Sequence, residues 1–173
     1  MKILRTPNSA FQNLEDYSFQ EKYCSVEGNL RLHYLDEGDP KGLVVLLLHG
    51  EPSWSYLYRK MIPIIINEGM RVIAPDLIGF GKSDKPAKQS DYTYAKHINW
   101  IQNLLDHLGL KNINMFIQDW GGLIGLRLLT ANPENFKSVV AGNTMLPTGS
   151  AKPPQAFLDW QNFAATSPKF DVA

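Results

Sequence analysis

Cysteine is nearly absent from this sequence: Cys24 stands alone in 173 residues. One cysteine excludes a disulfide framework and a thiolate metal cluster. No histidine neighbours it in sequence, so it is expected to be a half-buried strand residue rather than a nucleophile. A membrane-spanning run is missing too, and the apolar stretch Leu43 to Leu48 is far too short. The opening Met1-Lys2-Ile3-Leu4-Arg5-Thr6-Pro7 lacks the apolar segment of a signal peptide. Excess charge of either sign is also lacking. Seventeen basic and 17 acidic residues give a pI of about 6.9. That leaves no electrostatic case for nucleic acid or an anionic membrane surface. Internal repeats and low-complexity segments are absent. What remains is 44% hydrophobic and long enough for one globular core. A cytoplasmic protein is expected.

The apolar pattern predicts strands over Lys22 to Val26 and Leu30 to Leu35, joined by a Glu27-Gly28-Asn29 turn. Asp36 to Pro40 reads as a loop. The run Leu43 to Leu48 suits a strand covered on both faces. Ser55 to Asn67 reads as a helix interrupted early at Pro63, and Arg71 to Ala74 as a second buried strand. Gly79 to Gln89 is a loop. Tyr94 to Leu108 is a helix with Ile98, Ile101, Leu104 and Leu105 on its inner face, closed by Gly109. A strand over Ile113 to Ile117, a helix to about Thr130 and a short strand over Ser138 to Ala141 follow. An antiparallel opening and then alternating strands and helices predict an α/β domain with a mainly parallel sheet. Residues 1–145 form its expected N-terminal part. From Leu146 prolines cluster before the helix-like Gln155 to Ala164, and residues 146–173 are expected to begin a second, helical subdomain.

In such sheets ligands sit at the C-terminal strand ends. Three stretches fall there: His49 to Pro52, Asp76 to Ser83, and Gln118-Asp119-Trp120. The last has the layout of a nucleophile elbow: strand, one polar residue, Gly121 and Gly122, then helix. An ordinary turn with an N-capping Asp has the same layout, and the pattern alone does not decide between them. Gly79-Phe80-Gly81-Lys82-Ser83 is not a phosphate loop. A Walker loop needs glycine where Asp76 stands, and a dinucleotide fingerprint needs it where Asp84 stands. His49 follows the wrong strand for a triad base and is expected to be structural.

The runs from His49 to Lys60 and from Val72 to Pro86, with Gln118-Asp119-Trp120-Gly121-Gly122, resemble haloalkane dehalogenases of the α/β-hydrolase superfamily. The resemblance spans nearly the whole chain, including Gly142-Asn143-Thr144 and the Trp160 region. Glu51 after His49-Gly50 matches the branch that takes its second halide-binding tryptophan from the cap. The resemblance implies Asp119 as nucleophile and the backbone N–H groups of Glu51 and Trp120 as oxyanion donors. It implies the indole N–H of Trp120, and that of Trp160, as halide ligands. A cap-core aromatic remains the other reading of Trp160. Carboxylates are ionised at neutral pH, so Asp119 needs no base to attack an sp³ carbon bearing halogen. Indole is a pure donor on an apolar ring, which suits a departing halide. The implied partners are a small uncharged haloalkane, water and halide ion, with no metal and no cofactor.

The family's catalytic acid and water-activating histidine are not matched. His33, His49, His97 and His107 are the only histidines, and none lies in the family's histidine motif. The chain is expected to be an N-terminal portion, poorly stable alone and limited to the first half-reaction. Epoxide hydrolases share the Asp–Trp elbow, but they use cap tyrosines, and Leu146 to Ala173 contains none. A fluoroacetate-type dehalogenase would carry Arg after the nucleophile, and a serine esterase Ser at position 119. An inactive fragment or binding remnant is the reading from outside enzymology.

Overall fold

The computed structural model describes residues 1–147, 149–150 and 152–167. In chain order the elements are β1 (Ile3–Leu4), β2 (Lys22–Val26), β3 (Leu30–Gly38), β4 (Val44–Leu48), α1 (Met61–Asn67) and β5 (Arg71–Pro75). There follow β6 (Lys85–Pro86), α2 (Tyr94–His107), β7 (Ile113–Gln118), α3 (Trp120–Ala131), β8 (Phe136–Gly142) and α4 (Gln155–Thr166). Six strands form one sheet in the order β2-β3-β5-β4-β7-β8. β2, β3 and β5 pair antiparallel, whereas β5, β4, β7 and β8 run parallel. This is the expected α/β architecture.

β4 shows why its sequence is apolar throughout. Strand side chains alternate between faces. Leu46 and Leu48 enter one core with Ile73, Trp100, Ile101, Leu104 and Ile124, and Leu47 enters a second with Tyr58, Ile62 and Val72. Each face of the sheet therefore has its own core. α2 covers the first by its i, i+4 spacing: Trp100, Ile101, Leu104 and Leu105 are buried. The Thr93 hydroxyl caps its start by accepting from the Lys96 N–H, and Gly109, at φ 60°, follows its end.

Several boundaries differ from expectation. Ser55 to Asn67 is a 3-10 turn, Ser55–Tyr58, followed by α1. Pro63 does not interrupt it. It is the third residue of α1, where a backbone N–H would have no acceptor anyway. Asp36 to Gly38 belong to β3, because Gly38 still pairs with Arg71 and the Asp36 carboxylate holds Arg71 at 2.7 and 3.0 Å. Two stretches read as irregular, the lead-in and the Gly79 to Gln89 loop, meet in a small ladder of Ile3 with Pro86 and Leu4 with Lys85. Arg5 fixes it through two bonds to Asp84. Cys24 is buried rather than half-buried, and burial pushes its thiol up to about 11.

β8 is longer than expected and exposed along most of its length, Val140 to 58%. No described strand pairs with its outer edge. α4 carries Phe157, Leu158, Trp160 and Phe163 exposed. Residues 148, 151 and 168–173 of the expected cap lie outside the described residues. Among the described residues no helix is long and apolar enough to cross a membrane.

Candidate active site

β7 delivers Asp119 to the top of the sheet, and α3 starts on the next residue. Asp119 itself has φ 51° and ψ −126°. Glycine usually occupies that region, at the first central position of a type II′ turn. An L-residue there costs about 1–3 kcal/mol, so its surroundings must hold it. They do so through its backbone. The Thr144 hydroxyl donates to the Asp119 carbonyl at 2.8 Å, the Gly122 N–H donates to the same oxygen at 2.9 Å, and the Asp119 N–H donates to Asn143 at 3.3 Å. The capping aspartate of the ordinary turn is absent: the side chain makes no cap bond to α3. The following glycines allow α3 to approach. A Cβ on Gly121 would strike the Leu48 and His49 carbonyl oxygens, and one on Gly122 would strike Thr144.

The loop after β4 approaches from the side. A Cβ on Gly50 would fall on the Asp119 carboxylate, and the next residue, Glu51, donates its N–H to Asp119 Oδ1 at 2.9 Å. The Trp120 N–H is the first of α3 and has no intrahelical acceptor.

His49 does not face the carboxylate as a base. Its Nε2 accepts from the Leu77 N–H at 2.9 Å, and its Nδ1–H donates to the Gly50 carbonyl at 2.9 Å. Both partners have fixed roles, so one neutral tautomer satisfies both. Burial pushes its pKa down, against the opposing pull of Asp76, the Gly50 carbonyl and Asp119. It fastens the Gly50 loop to the loop after β5.

Asp76, placed by the sequence only at a strand end, fastens the same loops more firmly. It is fully buried. Its carboxylate accepts from His33 at 2.8 Å, from the Ser55 N–H at 2.9 Å and from the Lys82 N–H at 2.8 Å. The glycine loop that imitates a phosphate binder therefore wraps a carboxylate of its own chain. Burial alone would raise the Asp76 pKa. The hydrogen bonds from His33 and the Ser55 N–H, with the electrostatic pull of the two imidazoles, outweigh it, and the pKa lies below the usual carboxylate range. A carboxylate with its folded pKa depressed stabilises fully above its unfolded value, about 3.9, and loses that contribution as pH falls through the folded value. Urea midpoints should thus hold from pH 7 to about 5 and fall below about pH 4. Asp76→Asn should flatten that acid limb and cost about 3 kcal/mol or more at pH 7. An unchanged limb in the variant would remove Asp76 as its origin.

Two cavities meet at Trp120, which is 38% exposed. The larger, about 750 Å³, is lined by Asp119, Trp120, Leu123, Arg127 and Trp160. The smaller, about 480 Å³, is lined by Glu51, Phe80, Tyr92, His97 and Trp120. The structure thus brings Asp119, Trp120 and Trp160 to one cavity, while Glu51 lines the other. Trp160 lies tilted against Phe157, ring centroids 5.9 Å apart and planes at 38°. His97 packs against Tyr92 and Trp100, and burial pushes its pKa down to about 4. His33 is enclosed with Asp76, and His107 ends α2. No histidine lines the cavity that holds Asp119. Among the described residues no group of three His, Cys, Asp or Glu could hold a metal ion.

Sequence reasoning missed Asp76 as a hub and Thr144 as a support. His33, Ser55 and Asp119, the partners that give these roles away, lie far along the chain, so no local spacing announces them.

The chain is 60% identical to a haloalkane dehalogenase of Psychrobacter cryohalolentis over 99% of its own length and 58% of that protein's. A tetrameric haloalkane dehalogenase structure from Paraglaciecola agarilytica superposes with a TM-score of 0.89 at 41% identity, covering 98% of this chain and 58% of that one. An epoxide hydrolase of Vigna radiata gives a TM-score of 0.73 at 29% identity over 86% of this chain and 48% of its own. The chain therefore spans somewhat under three-fifths of the haloalkane dehalogenases it matches. Residues 44–170, most of the chain, match the family described as alpha/beta hydrolase fold, so the chain belongs to the α/β-hydrolase family.

Proposed function

We propose that this chain carries the nucleophile half of a haloalkane dehalogenase site. The observation that carries the reading is Asp119: one carboxylate oxygen is held by the Glu51 N–H at 2.9 Å, and the residue faces a cavity lined by two indoles. Neither indole N–H has a hydrogen-bond partner among the described residues. In the first step Asp119 Oδ2 forms a bond to the halogen-bearing carbon while the carbon–halogen bond breaks. The halide leaves with the bonding pair, and no proton moves. Trp120 and Trp160 receive the halide. In the second step water opens the resulting ester and the oxyanion meets the Glu51 and Trp120 N–H groups, giving alcohol, a proton and the regenerated Asp119 carboxylate. That step needs a base, and none of the four histidines is placed to serve. Residues 1–145 act as the core and 146–173 as the start of the cap. A cytoplasmic location suits the single cysteine. No metal or cofactor enters the reaction.

The likeness to the Vigna radiata epoxide hydrolase supports a second reading with the same nucleophile. It would need tyrosine acids over Asp119. Tyr94 lines the cavity, but its hydroxyl donates to the Leu123 carbonyl at 2.7 Å.

Halide titration separates these. Iodide should quench tryptophan fluorescence along a saturating curve in the wild-type chain and along a linear one in Trp120→Phe. Linear quenching in both would dismiss the halide site.

A further inference from the structure

Three residues of α3 line the larger cavity: Trp120, Leu123 and Arg127. Their i, i+3, i+7 spacing puts them on one helix face. Asp119 and Arg127 are the only charged side chains among the described residues lining it. The wall around them, with Ile98, Leu146 and Phe157, is apolar. The Arg127 guanidinium makes no hydrogen bond or ion pair with any described residue. A planar fork of donors without an internal partner, at the end of an apolar trough, is suited to a carboxylate.

The spacing sets the ligand. Arg127 lies eight positions after Asp119, a helical rise of about 12 Å. Helical side chains lean toward the N-terminus, so a guanidinium at this position can reach back toward Asp119 and bring the span to roughly 6–10 Å. A carboxylate adjacent to the halogenated carbon would sit beside the Asp119 charge and out of Arg127's reach. A carboxylate at the far end of a chain of roughly six to eight carbons would reach it while its methylenes cover Leu123 and Phe157.

We propose that the cavity selects long ω-halocarboxylates, with Asp119 attacking the halogenated end and Arg127 binding the carboxylate. The covalent part of this proposal rests on Asp119 being the nucleophile. The step keeps the balance given above: the Asp119 oxygen–carbon bond forms, and halide departs with the bonding pair. A guanidinium that merely reaches past the trough into water is the alternative.

Two measurements on the full 173-residue chain test it. The first is calorimetric binding of octanoate and 1-octanol, neither of which reacts. The ratio of octanoate to octanol affinity should fall about tenfold in Arg127→Gln. An unchanged ratio, or no octanoate binding to the wild-type chain where octanol binds, overturns the proposal. The second is the rate of adduct formation with 8-bromooctanoate relative to 1-bromooctane. That ratio should also fall about tenfold in Arg127→Gln, and 2-bromoacetate should form no adduct. If no bromide marks Asp119, the nucleophile reading fails, and the octanoate arm still decides Arg127.

Discussion

Incubated with 1,2-dibromoethane, the 173-residue chain is expected to gain one bromoethyl group on Asp119 and to keep it. Capture follows from the elbow. The carboxylate stands at a cavity wall with one oxygen held by Glu51, so attack needs only the haloalkane. Retention follows from where the histidines are. His49 spends both ring nitrogens on the backbone of Leu77 and Gly50, and His33 is closed in with Asp76. His107 is at the end of α2, and His97 lines a cavity that Asp119 does not. Water at the ester therefore meets no base. Intact-protein mass spectrometry should show a persistent adduct on the wild-type chain and none on Asp119→Ala. Continuous bromide release well beyond one equivalent would contradict this account of the histidines. No adduct on either chain would show that the site is not formed.

Gly121→Ala should be nearly as damaging, though it touches no reacting atom. The new Cβ would meet the Leu48 and His49 carbonyl oxygens, both backbone. β4 is central to the sheet and pairs on both sides, so it cannot yield. α3 must shift instead and carry Trp120 and Asp119 with it. Overpacking of this kind costs about 2–3 kcal/mol, and displacement of the nucleophile by about 1 Å slows capture roughly a hundredfold. Gly69→Ala is the comparison: its Cβ meets nothing within 4 Å, so only the φ of 76° is strained, at about 1 kcal/mol. Urea melts and adduct rates for both variants check this. Equal adduct rates would mean that α3 does not set the position of Asp119.

Legibility in the sequence followed the range of the forces involved. β4, β7 and α2 were readable because each is specified by its own apolar pattern, and their observed bounds fall within a residue or so of the pattern. The β1–β6 ladder was not, because Ile3 and Pro86 are far apart in the chain and two residues have no period. The start of the first helix is not legible for a related reason. Pro63 looks disruptive in sequence, yet the break lies upstream, where tertiary bonds intervene: the Ser55 N–H goes to Asp76 and the Tyr58 hydroxyl to Leu48. The site divides in the same way. Asp119, Trp120 and the paired glycines form one local signal. Asp76, Thr144 and Arg127 matter only through what the fold places beside them.

The backbone angles of Asp119 bear on how this protein could be improved in the laboratory. Glycine at position 119 would adopt φ 51° and ψ −126° without the strain. A library sorted by heat resistance alone would favour that exchange, together with changes that relax Thr144 and Asn143 around it. Thermal selection and chemical competence point in opposite directions at this residue. A screen meant to harden the fold must hold position 119 constant, or it will return a sturdier chain that has lost its reactive carboxylate.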